Sequence, residues 1–125
     1  MLLADTSVWI GHFRGQEPEF RTILSDGNVL MHPFVLGELA CGNLNRRDSI
    51  LGYLSLLPSA VLARHDEVMR LIEVWKLHGR GIGWTDAHLI ASALLSRCIL
   101  WTLDERLKIA ARHTGVDTRG PSRLQ

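Results

Sequence analysis

The sequence predicts an α/β fold, a parallel sheet with helices packed on both faces. Short apolar runs at 2–4 (LLA), 28–32 (NVLMH), 59–63 (SAVLA) and 99–102 (ILWT) alternate with longer segments of helical pattern. Apolar strands separated by helices imply βαβ units and a sheet covered on both sides. At 125 residues, 46% of them hydrophobic, the chain has material for one real core, and we expect a single domain over residues 1–125.

Taken in order, residues 2–4 form a buried strand that ends at Asp5. Thr6 and Ser7 then offer capping chemistry ahead of Val8, Trp9 and Ile10, so a helix follows. A second helix runs over 18–25, with Pro18 at a permitted first-turn position and Asp26-Gly27 breaking it. Residues 28–32 are the second strand. Pro33 opens a helix through Cys41 that Gly42 ends. Residues 46–57 form another helix, stopped by Pro58, and 59–63 a third strand. From His65 to His78 the apolar positions Val68, Leu71, Ile72 and Trp75 have amphipathic helical spacing. GRGIG at 79–83 is a flexible connection. A helix over 84–96, a fourth strand over 99–102 and a last helix from Asp104 to about His113 complete the pattern. One further strand cluster is expected near Val116, with a frayed tail from about residue 118.

Composition excludes several classes. The charged fraction of 22% and the apolar content argue against disorder. Cys41 and Cys98 lie far apart in apolar segments, with no CxxC pair, so buried free thiols in a reducing cytoplasm are expected rather than a zinc site or a disulfide. Asp5 interrupts the first apolar stretch, so no signal peptide is expected. No window approaches the roughly 20 apolar residues that span a bilayer. Net charge is +1, too balanced for an electrostatic argument about nucleic acid at the level of the whole chain. GRGIG lacks both the GxGxxG and the P-loop patterns.

Four acids stand out from the solvated rest. Asp5 ends the first strand where Thr6 or Ser7 could cap the helix, which leaves the carboxylate surplus. Glu38 is the only charged residue between Pro33 and Asn45 and shares a helix face with Phe34 and Val35, a costly place for a charge unless it is paired or metal-bound. Asp86 is spaced with Leu89, Ile90 and Ala93 on a buried face. Asp104 follows the fourth strand by two residues. Each has a plain structural reading as a cap, a helix-dipole charge or an ion pair. Together they fall at strand ends and adjoining helices, which share one edge of a parallel sheet. Carboxylates crowded there need a cation, and an all-oxygen ligand set selects magnesium or manganese.

The opening LLADTSVWI, the acid in LGELACG, the helix start WTDAHLIASALL and the strand-turn WTLDERL, in that order and spacing, resemble PIN domains, most closely the VapC-type ribonuclease toxins of bacterial toxin–antitoxin pairs. The resemblance covers residue 2 to about 117. It implies a Rossmann-like α/β/α sandwich with a central parallel sheet and metal-dependent endonucleolytic cleavage of RNA. It implies metal ligands at Asp5, Glu38, Asp86 and Asp104, with supporting hydroxyls at Thr6, Ser7 and Thr102. It further implies a homodimer and a cognate antitoxin that covers the active site.

Among basic residues, Arg80, Arg46 and Arg47 are candidate RNA contacts, though each also reads as an ordinary solvated charge. Trp9, Trp75, Trp84 and Trp101 could stack on bases, but their apolar neighbours favour core or interface packing. His88 lies two residues from Asp86, which turns it away from that face, so it is not expected to be a ligand. Rival readings are a non-catalytic PIN-like binding module and another magnesium-dependent phosphoryl hydrolase on a similar sheet. A haloacid-dehalogenase-like phosphatase needs an Asp where Ser7 stands. A receiver domain needs a late lysine outside a helix, and Lys108 falls inside one.

Overall fold

A computed structural model describes residues 1–120. Strands β1 (Leu2–Ala4), β2 (Val29–Leu30), β3 (Ile99–Trp101) and β4 (Thr118–Arg119) form one sheet in the order β2-β1-β3-β4, every pair parallel. Around it lie α1 (Thr6–Phe13), α2 (Pro18–Ser25), α3 (Pro33–Cys41), α4 (Arg47–Ser55), α5 (His65–Trp75), α6 (Trp84–Ser96) and α7 (Glu105–His113). β1 and β3 sit side by side at the centre, with Leu3 and Leu100 in register and both fully buried. That explains their unbroken apolar runs, since both faces are covered.

Local chemistry sets the helix ends. Pro33 occupies the first turn of α3, and His32 caps it, its Nδ1 accepting the Phe34 N–H at 3.0 Å. At the start of α5 the Arg64 N–H donates to Glu67 Oε1 at 2.9 Å. This helix stops at Trp75, short of His78, because Lys76 turns left-handed (φ 51°) and Leu77 folds into the core. Aromatic contacts tie α1 and α2 to β3 in the core. Trp9 meets Phe20 edge-on at 4.8 Å, and Phe20 meets Trp101 at 5.6 Å.

Several sequence expectations need correction. Residues 59–63 do not make a strand: Ser59 forms an isolated bridge to Met31, and the Val61 N–H leaves the ladder for the Ser96 hydroxyl at 2.8 Å. The strand expected near Val116 does form, but without Val116 itself. That residue turns inward as a core residue, its N–H donating to Ala111 O, and β4 forms two residues later. Fraying from about residue 118 is not what Thr118 and Arg119 do, since the Thr102 N–H donates to Arg119 O at 3.1 Å. The rest of that tail, residues 121–125, lies outside the described residues. Cys41 is exposed rather than buried, because Val35 and Leu39 take the inward face of α3; Cys98 is half-buried. No helix among the described residues is long and apolar enough to cross a membrane.

Candidate active site

The chain runs from β1 to β2 on one side, then returns to β3 on the other side of β1. The crevice beyond the carboxyl ends of β1 and β3 is therefore a topological switch point, where open α/β sheets bind ligands. Asp5 leaves β1 there, and Thr102 leaves β3, followed by Asp104.

Asp5 is only 6% exposed. Its Oδ1 accepts the Ser7 hydroxyl at 2.5 Å and the Val8 N–H at 3.2 Å, and its Oδ2 accepts the Thr102 hydroxyl. The same two hydroxyl oxygens accept backbone N–H groups from the β3–α7 turn, Leu103 to Ser7 at 3.1 Å and Asp104 to Thr102 at 2.9 Å. Asp5 is thus tied through two hydroxyls to the segment that carries Asp104. Burial pushes its pKa up, the three hydrogen bonds pull it down, and the charge of Asp86 raises it further.

Asp86 sits in the first turn of α6, where its Oδ2 accepts the Gly83 N–H at 3.2 Å. Its pKa is also raised, first by burial and then, against the Gly83 bond, by the charges of Asp104 and Glu38. Asp104 caps α7, its Oδ1 accepting the N–H groups of Arg106 at 2.9 Å and Leu107 at 3.5 Å. Glu38 reaches from α3 towards α1, and its Oε2 accepts the Thr6 hydroxyl at 2.7 Å. Four segments distant in sequence therefore bring four carboxylates into one electrostatic neighbourhood.

Two of these acids sit differently from the sequence expectation. Asp5 is itself the N-cap of α1, while Thr6 and Ser7 lie inside the helix with their hydroxyls turned to Glu38 and Asp5. Glu38 is exposed and does not face the core. It stands about 60° from Val35 around the helix, on the flank of the inward face. What capping leaves unexplained is the buried second oxygen of Asp5 and the raised pKa of Asp86, due first to burial and then to the charges of Asp104 and Glu38.

Donor chemistry fits a hard divalent cation. Glu38, Asp86 and Asp104 each engage one carboxylate oxygen and leave the other without a hydrogen bond among the described residues. The charges that add to the raised pKa of Asp86 would be relieved by a cation. Among the described residues, no three His, Cys, Asp or Glu side chains are already grouped to hold an ion. The engaged oxygens point instead to helix N–H groups and hydroxyls.

Beside Glu38 and Thr6 opens a cavity of about 600 Å³, lined also by Arg14, Asn43, Asn45 and Arg46. Arg14 and the two asparagines were not singled out from sequence, although the polar run GNLN directly after α3 was a usable signal. Arg47 and Arg80 are engaged elsewhere, donating to Ala40 O at 2.9 Å and Lys76 O at 3.0 Å. His88 is buried between the rings of Phe34 and Trp84, both at 4.6 Å. Trp9 and Trp101 are core residues, while Trp75 and Trp84 are partly exposed.

A family model described as "PIN domain" matches residues 2–113. Ribonuclease VapC32 of Mycobacterium tuberculosis is 44% identical over 117 residues, covering 93% of this chain and 94% of the relative. The protein of that name from strain H37Rv gives the same figures as that from strain CDC 1551 / Oshkosh.

Proposed function

The chain belongs to the PIN-domain family, and from that premise we propose that it is a metal-dependent endoribonuclease acting as the toxin of a toxin–antitoxin pair. The observation that supports the chemistry is that Asp5 leaves β1 at the switch point beside β3, near Asp86, whose pKa is raised first by burial and then by the charges of Asp104 and Glu38. In this reading residues 1–125 are a single domain, supported by the extent of the family match.

The four carboxylates would hold magnesium or manganese. Such an ion, when bound, makes water a stronger nucleophile and neutralises charge on a phosphodiester. The protein's own part is to aim the ligands. Ser7 and Thr102 fix both oxygens of Asp5, Thr6 holds one oxygen of Glu38, and the Gly83 N–H holds one of Asp86, which limits the freedom each carboxylate would lose on taking an ion. Arg46, with Arg14, lines the cavity next to Glu38 and suits the RNA backbone. Arg47 and Arg80, each donating to a backbone carbonyl, contribute charge more than contact.

The partners follow from the same family: an RNA substrate, an antitoxin laid over the acidic edge, and a second copy in a homodimer, all in the cytoplasm. A non-catalytic binding module is the second reading, favoured by the cap roles of Asp5 and Asp104. RNA incubated with the purified protein in EDTA should stay intact and be cut when magnesium or manganese is restored. RNA left intact by the metal-restored protein, freed of antitoxin, would favour the binding module.

A further inference from the structure

We propose that Arg106 is an RNA phosphate contact, held beside the acidic edge by the gap that Gly81 leaves; this rests on the ribonuclease reading. Arg106 lies in the first turn of α7, two residues after Asp104. Its side chain reaches the loop that precedes α6. A Cβ at Gly81 would stand 2.7 Å from Arg106 Cδ, 2.8 Å from its Nη1 and 3.2 Å from its Nε. Gly81 also has φ +78°, a left-handed conformation that side chains disfavour. Two residues on, the Gly83 N–H holds Asp86. Arg106 thus spans the two segments that carry Asp104 and Asp86.

Among the described residues nothing uses its charge. Among the described residues its guanidinium has no ion pair, unlike Arg64 with Asp66 or Arg119 with Glu19. It donates no hydrogen bond there either, unlike Arg47 and Arg80. A cation in the first turn of a helix opposes the helix dipole, so its place is not a stabilising one. A planar fork whose donors are free among the described residues, beside carboxylates that would otherwise repel a polyanion, matches a phosphate of the RNA backbone.

The test measures binding of a short labelled RNA of random sequence in EDTA, over a range of salt, together with KM and kcat in manganese. Arg106→Ala should weaken binding about tenfold at low salt. It should also lower the slope of log affinity against log salt by about 0.7 to 1, the loss of one phosphate contact. KM should rise far more than kcat falls. Arg106→Lys should keep most of the slope, because the charge remains. Gly81→Ala, which pushes the guanidinium aside, should reproduce the Ala effect in part. An unchanged slope and KM in Arg106→Ala would overturn the proposal. So would a lowered melting temperature with an unchanged slope, which is the signature of a side chain that only props the loop. Wild type that cuts no RNA under any metal condition would instead remove the ribonuclease reading beneath it.

Discussion

The hydroxyl of Thr102 donates to Asp5 Oδ2 and accepts the Asp104 N–H, so one side chain couples two of the proposed ligands. Thr102→Val keeps the shape and removes both bonds. It should cost about 1–3 kcal/mol of stability, since the buried Asp5 Oδ2 and the part-buried Asp104 N–H lose a partner. It should also raise the Asp5 pKa further, because a hydrogen bond that lowers it is gone. Asp5 must be ionised to hold a cation, so the acid limb of the pH–rate profile should move to higher pH, and Thr102→Ser should restore it. A variant with the wild-type profile would separate Thr102 from the site. At this scale the sequence was informative where a side chain acts near its own strand end, as at Asp5, Ser7 and Thr102. It misled at Glu38, because a helical wheel gives the angle to Val35 but not which flank faces α1. The approach of Arg106 to Gly81 was not legible, since it depends on how a loop and a helix with β3 between them meet in space.

Among the elements, α3 and β4 hold the edge in place by different means. His32 caps α3 through a neutral Nδ1, and burial followed by the nearby His88 lowers its pKa to about 4. A histidine with a depressed folded pKa favours the folded state only while neutral. Its contribution is therefore intact above about pH 6.5 and is lost as pH falls from there towards about 4. Thermal melts across that window should show a decline for wild type and a flatter profile for His32→Asn, a cap that does not titrate. Equal slopes would mean that His32 does not carry the acid sensitivity. β4 supports β3 from the other side: the Leu100 and Thr102 N–H groups donate to the carbonyls of Asp117 and Arg119, and Arg119 lies over the Trp101 ring at 4.7 Å. Deleting residues 118–125 should strip hydrogen-exchange protection from Thr102 and lower cleavage, whereas retained protection would mark the strand as dispensable. Helix positions were largely readable, because Pro18, Pro33, Gly83 and Asp104 punctuate the chain chemically. Strands were less so. The apolar run at 59–63 has strand composition, yet a serine hydroxyl on α6 takes the N–H that a ladder would need.

For the whole molecule, the acidic edge is a liability that a bound cation would relieve. Asp5 and Asp86 have raised pKa values, and a carboxyl raised on folding costs stability above its unfolded pKa and nothing well below it, where both states are protonated. Asp86→Asn should therefore stabilise the metal-free protein at neutral pH, by at most about 1 kcal/mol after solvent screening, with the gain vanishing in acid. Magnesium should raise the melting temperature of wild type more than that of the variant. No gain for the apo variant, and no magnesium shift for wild type, would return the acids to plain capping. The parallel sheet and its loaded edge could be read from alternating apolar runs and helices, but the sheet order, and with it the switch point between β1 and β3, could not be read from local pattern. The most direct measurement is a manganese titration followed by backbone amide NMR, in which the paramagnetic ion broadens the resonances nearest to it. Amides around Asp5, Glu38, Asp86 and Asp104 should broaden first and together in wild type, and Asp5→Asn should lose this response along with RNA cleavage while the rest of its spectrum stays native. Broadening scattered over other surface acids, or a response at this edge that Asp5→Asn leaves intact, would contradict a shared cation site.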